Sequence, residues 1–77
     1  MTNFNVKKEK LVSLIESYIA DSSKANELQY FVRELKMDVD FKGKDLFASI
    51  FHEFENHLKE LTQRELKQRV LLIRSFD

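Results

Sequence analysis

The stretch 45–61, Asp-Leu-Phe-Ala-Ser-Ile-Phe-His-Glu-Phe-Glu-Asn-His-Leu-Lys-Glu-Leu, does most to limit what this chain can become. At about 100° per residue, Leu46, Phe47, Ile50, Phe51, Phe54, Leu58 and Leu61 fall inside an arc of about 140°. Asp45, Ser49, His52, Glu53, Glu55, Asn56, Lys59 and Glu60 fill the remainder. This is a core helix with one wet side. The chain has no proline and one glycine, Gly43, which favours long helices with few breaks. The sequence therefore reads as all-α, a small antiparallel four-helix bundle forming one domain, with helices near 5–20, 24–37, 45–61 and 63–76.

The first helix is expected to start at Asn3 or Asn5, either of which can cap a first turn. It turns Phe4, Leu11, Val12, Leu14, Ile15, Tyr18 and Ile19 to one side and Ser13, Glu16 and Ser17 to the other. Lys7, Lys8 and Lys10 crowd its N-terminal end, where the helix dipole is unfavourable to cations. Such a cluster is either solvated or awaits an anionic contact. Asp21, Ser22 and Ser23 interrupt the pattern, with Ser22 or Ser23 expected as the next cap. The second helix buries Ala25, Leu28, Phe31, Val32 and Leu35. Tyr30 and Met37, seven residues apart, share a line on its opposite side and are candidates for a contact surface.

Between Met37 and Lys44 apolar and polar residues alternate, but no partner strand exists in the sequence. The segment reads as a connector in which Val39 or Phe41 plugs the end of the core and Gly43 takes an unusual backbone angle. After the central helix, Thr62-Gln63-Arg64-Glu65 matches a capping box, with Leu61 and Leu66 at the hydrophobic staple positions. The connection is very short, which predicts that the third and fourth helices pack as antiparallel neighbours. The fourth helix buries Leu66, Val70 and Ile73, while Leu71, Leu72 and Phe76 point in other directions. A helix apolar on several sides in so small a bundle has surface to spare for a partner.

Little points to chemistry. His52 and His57 stand five residues apart, about 140° around a helix, whereas two histidine ligands to one metal on a helix need a spacing of four. Without cysteine there is no disulfide, thiolate metal site or cysteine nucleophile. Lys42-Gly43-Lys44 lacks the second glycine and the Ser or Thr of a phosphate loop. A core this small leaves little room for a pocket. No enzyme activity, cofactor, metal or small-molecule substrate is expected. Thirteen basic and thirteen acidic residues cancel, so no global field draws in nucleic acid or an anionic membrane. The longest apolar runs fall far short of the ~18 residues of a membrane span, and no secretory signal is visible. A cytoplasmic location is expected.

Two functional classes remain. In the first, the protein acts by protein contact, through self-association or a partner, using Leu71, Leu72, Phe76, Arg74, Tyr30 and Met37. In the second, it is a small dimeric transcriptional or phage-type regulator that contacts nucleic acid through Arg64, Lys67 and Arg74 on one side of the last helix. The connection Leu61-Thr62-Gln63-Arg64-Glu65-Leu66, followed by Leu71-Leu72-Ile73-Arg74-Ser75, resembles the class IIa bacteriocin immunity proteins. That resemblance implies a cytosolic, non-enzymatic antiparallel four-helix bundle that protects a producing cell and uses its C-terminal part for specificity.

Overall fold

The four long apolar stripes of the sequence become four helices. The structure, a computed structural model, describes residues 3–76. Helix α1 spans Asn3–Ala20, α2 Ala25–Lys36, α3 Asp45–His57 and α4 Gln63–Ser75, with single 3₁₀ turns at Ser22–Lys24 and Leu58–Glu60. The molecule is an all-α antiparallel four-helix bundle, and no strand occurs among the described residues. The stripe expected in α2 is buried in full, as are Phe47, Ile50, Phe51 and Phe54 of α3, Leu58 of the following turn, and Leu66, Val70 and Ile73 of α4. From α1, Leu11, Val12 and Ile15 enter the same core, with Phe4, Leu14, Tyr18 and Ile19 packed against it.

The helix ends follow local hydrogen bonding. The Glu65 N–H donates to Thr62 Oγ1 at 3.1 Å and the Thr62 N–H donates to Glu65 Oε1 at 3.0 Å, closing the capping box and fixing where α4 starts. The turn before α2 is capped differently from expectation. Asp21 accepts from the Ser23 N–H at 3.0 Å and acts as cap of the 3₁₀ turn, so the serines lie inside that turn instead of capping α2. An aspartate carboxylate is the stronger acceptor and stands one position earlier.

The packing order also departs from the sequence expectation. Close backbone packing joins α1 to α4, α1 to α2 and α2 to α3. Helices α3 and α4, although consecutive, meet mainly through long side chains. Arg69 donates twice to Glu53, at 2.8 and 2.9 Å, and the rings of Phe47 and Phe76 stand 4.9 Å apart. The Phe47 and Phe76 rings and the Arg69–Glu53 pair fill the space between the two helices.

The connector between α2 and α3 is built from turns, not extended chain. The N–H groups of Phe41 and Lys42 both donate to the Asp38 carbonyl, at 3.1 and 2.9 Å, and the Asp40 N–H donates to the Asp38 carboxylate at 2.8 Å. Phe41 is the plug, buried to 2% exposure, whereas Val39 is 84% exposed. Gly43 has φ of +87°, an angle that side-chain-bearing residues rarely adopt.

Phe41 closes an aromatic end of the bundle. Phe47 is fully buried at its centre, with ring centroids 4.9 Å from Phe41, 5.8 Å from Phe4, 5.8 Å from Phe51 and 4.9 Å from Phe76. Several of these pairs are edge-to-face, the geometry favoured by the ring quadrupole. The lysines crowded at the start of α1 are used here. Lys7 pairs with Asp38 and reaches Asp40 at 3.4 Å. Lys8, only 8% exposed, donates to the Phe76 carbonyl at 2.6 Å, and Lys8 and Lys44 both lie over the Phe4 ring. Because α1 runs against α4, a cation badly placed for its own helix dipole sits beside the negative end of another.

Candidate functional site

Helix α1 has α2 on one flank and α4 on the other, and each flank opens outward as a shallow groove. The α1–α4 groove, about 410 Å³, is lined by Glu16, Ile19, Lys67, Val70, Leu71 and Arg74. Leu71 projects into it at 67% exposure. Of Arg64, Lys67 and Arg74, expected on one side of the last helix, Lys67 and Arg74 line this groove on either side of Leu71. Arg74 is loosely engaged, its guanidinium 3.8 Å from Glu16. Lys67 has no ion-pair or hydrogen-bond partner among the described residues.

The α1–α2 groove, about 440 Å³, is lined by Lys10, Leu14, Asn26, Glu27, Tyr30, Phe31 and Glu34. Tyr30 stands out of it at 66% exposure. Glu27 approaches Lys24 at 3.7 Å, Lys10 lies over the Phe31 ring at 4.8 Å, and Glu34 has no side-chain partner among the described residues. The two grooves thus carry opposite excess charge, cationic on α4 and acidic on α2.

The remaining candidates disperse. Met37 is 76% exposed at the C-terminal cap of α2 and lines neither groove, and Leu72, 41% exposed, lies outside the α1–α4 groove. Phe76 is a correction. Its ring packs on Phe47 and Phe4 at 4.9 and 6.1 Å, which places it in the aromatic end of the core and not on a contact surface. The helix stops at Ser75, and the extended backbone of Phe76 turns the ring back inward.

The cations of α4 differ in their surroundings. Arg64 is exposed but does not line the groove, Glu16 sets a carboxylate beside Arg74, and Arg69 is spent on Glu53. The Arg69 guanidinium holds the Glu53 carboxyl below its usual range, and Glu53 in turn raises Arg69.

The two histidines both lie on α3, near its C-terminal end. The helix passes into a 3₁₀ turn at His57, and the ring centroids are 6.3 Å apart. Each ring is engaged locally: His57 Nδ1 shares a 2.6 Å hydrogen bond with Glu60, and His52 Nδ1 lies 3.3 Å from the Asn56 amide. Among the described residues no three histidine or carboxylate side chains gather as a metal site. Every buried side-chain nitrogen or oxygen among them has a partner. No helix of the described residues is long and apolar enough to cross a membrane.

Comparison with known proteins finds no matching family model, no matching curated protein and no matching solved structure. The class of molecule is set by its fold, a small antiparallel four-helix bundle with two outward grooves along α1.

Proposed function

We propose that this protein acts in the cytoplasm by protein contact and not by chemistry, with the outward side of α4 as its contact surface. The observation that carries this reading is Leu71, a large apolar side chain 67% exposed in a groove between Lys67 and Arg74. An exposed apolar residue framed by cations is the pattern of an interface centre with a polar rim.

The sharpest version of the proposal is an immunity-like role, in which α4 supplies specificity. Its test is survival of a strain sensitive to class IIa bacteriocins that expresses the chain, compared with empty vector and with Leu71→Glu. Protection by the natural chain and its loss in Leu71→Glu, at equal protein level, is the expected result. Absence of protection by the natural chain removes the immunity version. Protection left intact by Leu71→Glu removes α4's outward face as the working surface.

A further inference from the structure

We infer that the partner of the α4 surface is a second copy of this chain, which lays its own α2 along α4 in a two-fold dimer centred on α1. The inference rests on the contact reading above and adds the identity of the occupant. Two stripes carry it. On α2, Glu27, Tyr30 and Glu34 place an apolar ring between two carboxylates. On α4, Lys67, Leu71 and Arg74 place an apolar side chain between two cations.

Each stripe covers seven residue steps, about 10 Å along a helix at 1.5 Å per residue. The order is charge, apolar, charge in both, with the signs reversed. Lys10 leaves the α2 groove with one net negative charge, and Glu16 leaves the α4 groove with one net positive charge. The pairings these residues already have are loose, 3.7 Å for Glu27 with Lys24 and 3.8 Å for Arg74 with Glu16, while Glu34 and Lys67 have none among the described residues.

The topology lets both stripes be used at once. Helices α2 and α4 flank α1 and both run against it, so they run in the same direction as each other. A two-fold axis along the outer side of α1 turns α2 of one copy over α4 of the other, and the reverse. Glu27 then faces Lys67, Tyr30 faces Leu71 and Glu34 faces Arg74, each pairing occurring twice. On α1 between the grooves stand Ser13, Ser17 and Ala20, all exposed and small, which lets the two α1 helices approach. A polar arrangement of this kind fixes register and partner choice, while Tyr30 and Leu71 supply the apolar burial.

The test is the solution mass of the full chain, by light scattering on a sizing column from low to high micromolar protein, with two charge reversals. A dimer is expected for the natural chain. Glu34→Lys alone sets a second cation against Arg74 at both pairings, and Arg74→Glu alone sets a second carboxylate against Glu34. Each should weaken dimerisation about tenfold or more while leaving helical circular dichroism unchanged. Mixing the two variants restores an opposite-charge contact at both positions, so a mixed dimer with one of each should reappear.

A natural chain that stays monomeric throughout overturns the inference. So does a dimer that neither reversal weakens, or one that mixing fails to restore. None of these results touches the contact reading, which fails separately if Leu71→Glu leaves protection intact.

Discussion

The aromatic end of the bundle and the outward side of α4 are made from the same kinds of residue, yet they end in opposite states. At the aromatic end, Phe4, Phe41, Phe47, Phe51 and Phe76 meet ring to ring, and Lys7, Lys8 and Lys44 are all occupied by carboxylates, a carbonyl or a ring face. On α4, Leu71 is exposed and Lys67 is unpaired among the described residues. The difference lies in what stands opposite. The connector and both ends of the described chain converge on the first region, whereas α1 alone borders the second. Apolar and cationic residues stabilise the fold in one place and remain available for contact in the other.

If that contrast holds, the largest loss should come from Phe47→Ala. Removing a fully buried ring from the centre of the cluster should cost about 3 to 5 kcal/mol, read as a lower urea midpoint, and a loss under 1 kcal/mol would show that the cluster is loosely packed. Lys8→Ala comes next. It leaves the Phe76 carbonyl without its donor and should cost about 1 to 3 kcal/mol. A neutral result there would mean that the lysine is effectively solvated.

The pairing of Lys7 with Asp38 is more exposed, so its effect is smaller and shows best as pH dependence. The Lys7 ammonium, together with the Asp40 N–H, holds the Asp38 carboxyl below its ordinary value of 3.8, and the same hydrogen bond raises Lys7 above 10.5. A depressed carboxylate stabilises the fold above its unfolded pKa, and that stabilisation is lost as pH falls through the lower folded value. For the raised lysine the stabilisation is complete below 10.5 and disappears as pH rises through the folded pKa. Asp38→Asn should therefore flatten the fall in stability below about pH 4, measured as urea midpoint against pH, and an unchanged acid limb would place the dependence elsewhere, with Glu53 the next carboxylate to test. The smallest effect on stability belongs to Leu71→Glu, within about 0.5 kcal/mol when measured on protein dilute enough to be monomeric, where loss of a dimer contact cannot contribute. A larger loss would show that Leu71 belongs to the core and would dissolve the contrast between the two regions.

Much of the architecture was legible because it is local. The buried stripe of α2 and the capping box at Thr62 and Glu65 depend on spacings of three and four residues, which a helix converts directly into one face or one hydrogen-bonded turn. Gly43 could be read for the same reason, as a lone glycine in a connector. The candidate site was legible in part. Spacing put Arg64, Lys67 and Arg74 on one side of α4 and set Tyr30 outward, but it could not show that α1 makes one groove with α4 and another with α2.

Other features depended on residues far apart in the chain. Lys8 and Phe76 are separated by 68 positions, and no periodicity announces that a lysine at the start of α1 will meet the end of α4. The choice of Phe41 over Val39 as plug, the inward turn of Phe76 and the closeness of α4 to α1 in place of α3 have the same origin. The helices and the faces they bury could be read from residue order, because backbone geometry within a few residues produces them. Which helices lie side by side, and hence which charges are consumed and which stay free, emerged only in the folded molecule, because it depends on how large aromatic and small side chains share one core volume.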